Sequence, residues 1–262
     1  MSNPILSIIC PTFERTYGLK RLIESIDIGM LKSGLVEIIV TDDSLSDTVV
    51  KYCSDKPYLT YKKHKNSSNP VDNWNSGLRL AQGTYVQVLH HDEYPARSTT
   101  YSEIINILLE QYYDVIVPRC HFIKDSKKIV SRFMQSFFTQ RITLFFPYLI
   151  LGFNVIGSPS LFIYKNHGEI FDKNLAYLVD VDFYFKKLKH SCKNIKVALS
   201  NSVFLSDTTF DDSITKSLSK NLELITLKEQ KYILNKAKNY LLEKLMIRFV
   251  FYCRSIVNRC RH

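Results

Sequence analysis

Three short, largely apolar runs early in the chain each stop at a cluster of polar side chains, and this repeated ending constrains the fold more than any other feature. The runs cover residues 6–10, 36–40 and 85–89. They end in Pro11-Thr12-Phe13-Glu14-Arg15, Thr41-Asp42-Asp43-Ser44 and His90-His91-Asp92-Glu93 respectively. Apolar runs of about five residues have strand length. The segments between them carry helical spacing instead: Leu19, Leu22, Ile23 and Ile26 share one face, and Val71, Trp74, Leu78 and Ala81 another. Asn69 before Pro70 predicts an N-cap and first helical position, and Gly83 a stop. Residues 58–61 and 114–117 predict two more strands. Alternating strands and helices imply an α/β fold, a doubly wound, mostly parallel sheet flanked by helices. Later segments predict a strand at 161–164, a helix at 181–189 and a strand at 195–199. From about Ser213 the chain reads as mainly helical to its end.

Ligands of an open parallel sheet bind beyond the carboxyl ends of the strands. One polar ending is what any loop looks like. Three endings, two of them with acidic pairs, point to a pocket for a cation and a polar ligand. The chain has neither GxGxxG nor GxxxxGK[ST], which argues against dinucleotide and P-loop chemistry.

The formal net charge of +10 is unevenly placed. From Asn221 onward there are nine Lys or Arg against three Glu, so this segment carries six of the ten charges. Such a tail implies an anionic partner or a solvated helix face. No recognised nucleic-acid motif accompanies the charge, so nucleic acid is not expected as a partner. The opening MSNPILSIICP lacks the positive region of a signal peptide. The longest apolar run, 142–153, is short for a membrane span and contains Pro147. Six cysteines without a CxxC pattern read as reduced thiols of a cytoplasmic protein.

At these residues the sequence resembles the family 2 glycosyltransferases. Ile8-Ile9-Cys10-Pro11-Thr12-Phe13-Glu14-Arg15 is similar to that family's opening strand and loop. Ile38-Ile39-Val40-Thr41-Asp42-Asp43-Ser44-Leu45-Ser46-Asp47 resembles its second. Asn73-Trp74-Asn75-Ser76-Gly77-Leu78 and Leu89-His90-His91-Asp92-Glu93 resemble the helix and the DxD-type metal motif that follow. Gly157-Ser158-Pro159-Ser160 and the stretch from Phe171-Asp172 to Asp180-Val181-Asp182 resemble later segments, so the likeness covers about residues 5–200.

The resemblance implies a GT-A fold, a nucleotide-sugar donor, most often UDP-linked, and a divalent metal, Mg²⁺ or Mn²⁺. Pro11, Thr12, Phe13 and Arg15 would line the nucleotide pocket, with Asp42 accepting from a uracil N–H and Asp43 and Asn75 beside it. Glu14 stands where the family usually has Asn. Asp92 would hold the metal, and Glu93 would orient the metal's waters. His90 occupies the first Asp position of the motif, where it hydrogen-bonds ribose or phosphate or binds Mn²⁺. His91 belongs to the same loop, its ring expected on the opposite side. Asp180 would be the general base of an inverting single displacement, with Asp182 the other choice. The acceptor would be a hydroxyl of a glycan or lipid-linked saccharide in surface-polysaccharide synthesis (O-antigen, capsule or lipopolysaccharide). The expected division is a catalytic domain over 1–212, with a nucleotide-sugar half at about 1–118 and an acceptor half at 119–212. A basic helical extension over 213–262, carrying Phe249, Phe251 and Tyr252 among Lys244, Arg248, Arg254 and Arg259, would contact anionic membrane at the inner face of the plasma membrane. Two other readings stay open. A nucleotidyltransferase would show a Gly-rich basic loop after the first strand, where PTFERTYGLKR has only Gly18. A non-catalytic basic protein would bind nucleic acid or membrane by charge.

Overall fold

The computed structural model describes residues 3–64, 69–124, 127–131, 146–190, 195–209, 221–236 and 241–259. They form two compact units, each discontinuous in sequence. The first takes residues from 1–132, 157–171 and 195–209, and the second from 133–156, 172–194 and 210–262.

The first unit is built on a nine-stranded sheet. Its strands are β1 (Leu6–Thr12), β2 (Val36–Asp42), β3 (Leu59–Lys63), β4 (Tyr85–Val88), β5 (Glu93–Pro95), β6 (Val115–Lys124), β7 (Lys127–Ser131), β8 (Ile163–Lys165) and β9 (Val197–Asp207). They are ordered β3-β2-β1-β4-β8-β6-β9-β5, with β7 beside β6. β3, β2, β1 and β4 are mutually parallel, and so are β6 and β9; β8, β5 and β7 pair antiparallel. The mostly parallel α/β sheet expected from the sequence is therefore present. β1 and β2 are buried along almost their whole length, as strands covered on both faces must be.

The helices of this unit are α1 (Thr16–Glu24), α2 (Ile28–Lys32), α3 (Thr48–Cys53), α4 (Pro70–Leu78) and α5 (Thr100–Glu110). α4 starts as its sequence predicts: Asn69 Oδ1 accepts from the Val71 N–H at 3.0 Å, and Pro70 fills the first turn. It ends at Leu78, before Gly83, whose place is set by a close approach to β1. A β-carbon there would lie 2.6 Å from the Ser7 backbone nitrogen. Gly77 seats α4 on the sheet, because a β-carbon would fall 2.3 Å from Ile9 Cγ2.

Three expectations are corrected. The strand expected at 161–164 begins with a 3₁₀ turn at Pro159–Leu161 and pairs only from Ile163. The strand expected at 195–199 runs on to Asp207 through Ser200-Asn201-Ser202, because its pairing with β6 resumes after a register shift. Glu93 does not end a strand loop but opens β5, a three-residue strand ending in Pro95 that is too short to show periodicity.

The second unit is helical in its described part: α6 (Tyr148–Gly152), α7 (Val179–His190), α8 (Leu222–Lys236) and α9 (Leu241–Arg259). Ile247 and Val250 of α9 are buried, and Val250 packs on Gly152, where a β-carbon would lie 2.6 Å from Val250 Cγ1. Residues 142–145 and the expected helix start at Ser213 lie outside the described residues. Among the described residues, no helix is long and apolar enough to cross a membrane.

Candidate active site

Thr12 pairs in register with Asp42, so the first two polar loops leave the sheet at one level. Asn73 of α4 ties the strand ends together, its Nδ2 donating to the Thr12 carbonyl at 3.3 Å and the Thr41 carbonyl at 3.2 Å. Glu14 crosses from the first loop to the second. Its carboxylate accepts from the Leu45 N–H at 2.6 Å, the Ser46 N–H at 2.9 Å and the Ser46 hydroxyl, while its own N–H donates to Ser44 Oγ at 2.7 Å. The Ser46 hydroxyl and N–H hold the Glu14 carboxyl below its ordinary value. Glu14 also sits at φ 52°, the left-handed region that Asn tolerates better than Glu. The departure from the family's Asn is thus offset by a carboxylate clamp that Asn is too short to reproduce.

The acidic pair divides its work. Asp42 is fully buried; Oδ1 accepts from the Ser44 N–H at 2.9 Å, and Oδ2 from Tyr61 Oη at 2.8 Å and Lys63 Nζ at 3.1 Å. Asp42 thus shapes the loop, its two oxygens shared among three donors. Asp43 is 7% exposed and lies 3.4 Å from His64 Nδ1. Asn75 exchanges two 2.9 Å hydrogen bonds with the backbone of Phe171 and is 1% exposed. Of the other pocket candidates, Pro11 and Thr12 are buried, Arg15 is half-buried and Phe13 is exposed.

β4 runs beside β1, and the Leu89 N–H donates to the Ile9 carbonyl at 2.8 Å, so His90-His91-Asp92 emerges next to these loops. The loop turns tightly, the Glu93 N–H reaching the His90 carbonyl at 3.0 Å. Gly18 of α1 permits this course, since a β-carbon there would lie 2.6 Å from the His91 carbonyl oxygen. Glu93 is buried, one oxygen accepting from Ser158 Oγ at 2.5 Å and the other from Ser160 Oγ. The Ser160 carbonyl accepts from Gln87 Nε2 at 2.5 Å, and Gln87 accepts from the Tyr101 hydroxyl at 2.7 Å. The two serines of Gly157-Ser158-Pro159-Ser160 therefore hold Glu93 in place.

Ligand atoms of His90, Asp92 and Glu93 all lie within 4.8 Å of one another. The His90 ring rests against Trp74, centroids 4.8 Å apart, and its Nε2 is buried and, among the described residues, without a hydrogen-bond partner. Burial lowers the His90 and His91 imidazoles, His91 to about 4, against the opposing pull of Asp92. Both rings are neutral at pH 7. A neutral imidazole nitrogen with two carboxylates suits a divalent cation, and imidazole favours Mn²⁺ over Mg²⁺.

In the second unit Asp180 and Asp182 both lie in the first turn of α7. Asp182 is 2% exposed and engaged by Lys186 at 2.5 Å and Lys236 at 3.6 Å. Asp180 is half-buried, with Asn154 Nδ2 at 3.5 Å from Oδ2. Asn73, Ser158 and Ser160 were absent from the sequence-derived site although they lay within its quoted motifs. Their partners are backbone carbonyls and a buried carboxylate, which spacing does not reveal.

The comparisons with known proteins bear on the family and the fold. The chain is 28% identical over 233 residues to an uncharacterised glycosyltransferase of Rickettsia typhi, covering 84% of this chain and 69% of that protein. It is 37% identical over 95 residues to the GalNAc(5)-diNAcBac-PP-undecaprenol beta-1,3-glucosyltransferase of Campylobacter jejuni, covering 34% of this chain and 30% of that one. Among solved structures it is similar to S. aureus TarS 1-349 in complex with UDP-GlcNAc. There the TM-score is 0.62 at 17% identity, covering 95% of this chain and 72% of that one. The fold is therefore that of the GT-A enzymes. The model of Glycosyl transferase family 2 matches residues 7–169, a span that runs from β1 through the strand-end carboxylates and both serines on Glu93, and the chain belongs to that family.

Proposed function

We propose that this protein transfers a sugar from a nucleotide-diphosphate donor, UDP-linked, to a hydroxyl of a glycan or lipid-linked saccharide, inverting the anomeric centre. The observation that carries the reading is the His90–Asp92–Glu93 cluster, set beside the loops that follow β1 and β2. TarS has been solved with UDP-GlcNAc, and the Campylobacter jejuni relative is named for an undecaprenol-linked acceptor. Both fit this reading without fixing the sugar.

Asp92, with His90 and Glu93, would hold a divalent metal. When bound, it supplies positive charge against the donor diphosphate and lowers the cost of its departure. Pro11, Thr12, Phe13 and Arg15 border the nucleotide. The base N–H contact falls to the acidic pair, Asp42 with Asp43 beside it. Asp180 takes the proton of the acceptor hydroxyl as its oxygen forms the new bond to the anomeric carbon. The bond from that carbon to the diphosphate oxygen breaks with its electron pair, releasing UDP. Asp180 is taken as the base by its likeness to the family's later segment, with Asp182, held by Lys186 and Lys236, the other choice.

The test is single-turnover cleavage of a labelled UDP-sugar at saturating metal. Asp180→Asn should slow the step by about 10²–10⁴-fold, the range for losing a general base, with UDP binding unchanged. Asp182→Asn should retain the larger rate. The reverse order would move the base to Asp182.

The membrane contact belongs to the same proposal. Leu245, Phe249, Tyr252 and Ile256 recur at i, i+4, i+7 and i+11 on α9, all exposed, opposite the buried Ile247 and Val250. Lys244 and Arg248 border that stripe in the helical sequence. An apolar stripe edged by cations suits an anionic lipid surface, where a lipid-linked acceptor resides.

A further inference from the structure

We propose that Glu229, on α8, is a positioning residue for the base-bearing helix α7; this rests on Asp180 being the base. The residues just before Val179 are Leu175-Ala176-Tyr177-Leu178. None of their side chains can accept a hydrogen bond in the manner of an N-cap, where Ser, Thr, Asp or Asn is favoured. The backbone N–H groups at a helix start need acceptors all the same. Glu229, about fifty residues further along the chain, takes the three N–H groups that lead into α7, the last at Leu178, the residue before its first turn. Its Oε1 accepts from the N–H of Ala176 at 2.6 Å and Tyr177 at 3.2 Å, and its Oε2 from Tyr177 at 3.2 Å and Leu178 at 2.7 Å. The carboxylate is 7% exposed, so water does not compete for these donors.

The same helix holds the segment at further points. Tyr232 Oη donates to Asp172 Oδ2 at 3.1 Å and accepts from Asn174 Nδ2 at 3.0 Å. Lys236 Nζ bonds Asp172 and lies 3.6 Å from Asp182 Oδ2. Positions 229, 232, 233 and 236 fall on one face of α8, and Ile233 on that face is buried. α8 thereby grips residues 172–182 at both ends, and the grip sets where Asp180 stands. Misplacing a reacting group by about 1 Å can cost on the order of 10²-fold in rate.

Glu229→Gln tests this, since it keeps the shape but turns an amide NH₂ toward backbone donors. Glu229→Asp keeps the charge on a shorter stem, and Glu223→Gln, at an exposed position of the same helix, is the control. The probe is metal-dependent hydrolysis of whichever of UDP-glucose, UDP-GlcNAc, UDP-galactose or UDP-GalNAc the unaltered protein cleaves fastest, water being the acceptor. Glu229→Gln should lower kcat by about 10–100-fold with donor KM and UDP affinity within about twofold. Glu229→Asp should recover part of kcat, and Glu223→Gln should match the unaltered protein. A wild-type kcat in Glu229→Gln would overturn the proposal. So would a loss shared equally by kcat and UDP affinity, which would mark general destabilisation. Asp180→Asn is assayed alongside. If it is as active as the unaltered protein, the assignment of the base fails and this proposal with it. If it is inactive while Glu229→Gln is not, the positioning role alone fails.

Discussion

At the scale of single residues, the acidic pair after β2 shows how neighbouring carboxylates divide between structure and binding. Asp42 is buried and serves three donors, whereas Asp43 retains some exposure. Asp42→Asn should therefore lower the unfolding free energy by about 1.5–3 kcal/mol, the range for hydrogen bonds to a charged group. Asp43→Asn should cost less stability but weaken UDP binding. Denaturant unfolding and UDP calorimetry on both variants separate the roles; equal UDP affinity in Asp43→Asn and the unaltered protein would remove Asp43 from the pocket. The motif locates the pair, but it gives position and not the direction of a side chain. Asn75 shows the same limit, since its motif does not announce that its amide bonds the backbone of Phe171. His90, Asp92 and Glu93 stand close enough in the chain for one loop to bring their ligand atoms within 4.8 Å of one another.

At the scale of elements, the strands and helices with strong periodicity were the readable ones. β1, β2 and α4 begin within a residue of where their patterns predict, and α4 even shows its Asn69 cap. β5 was hidden because three residues carry no period, and the outer part of β9 because it is rich in serine. α9 has apolar residues on two faces, one packed and one exposed, and the exposed face makes its own prediction. The protein should co-sediment with vesicles containing anionic phosphatidylglycerol but not with pure phosphatidylcholine, and less so as salt rises. Replacing Phe249 and Tyr252 with Ser should reduce that binding several-fold, as about 25 cal/mol is lost per Å² of apolar surface no longer buried. Equal sedimentation of the double variant would show that the stripe is not the contact.

At the scale of the whole molecule, residues 172–178 and α8 belong to one unit and are joined by the Glu229 carboxylate on backbone N–H groups and by the Lys236–Asp172 ion pair, contacts that no linear pattern announces. Asp172 makes that linkage measurable. Burial alone would raise its carboxyl, but hydrogen bonds from Lys236 and Asn174 outweigh this and hold it at about 2, below the ordinary 3.8. A depressed carboxyl stabilises the fold above its unfolded value, and the contribution is lost as pH falls through the folded value. Asp172→Asn should thus be less stable than the unaltered protein at pH 7, with the gap closing between about pH 4 and pH 2 in urea melts. A constant gap across that window would place the stabilisation elsewhere. The central claim is that the strand-end cluster makes this chain a metal-dependent nucleotide-sugar transferase. Its most direct test is UDP release from a panel of UDP-sugars with Mn²⁺ or Mg²⁺, comparing the unaltered protein, Asp92→Ala and excess EDTA. At least one UDP-sugar should be cleaved by the unaltered protein, and Asp92→Ala or EDTA should abolish cleavage while the fold persists. Cleavage that survives both would contradict the metal assignment, and a panel left wholly uncleaved would contradict the claim itself.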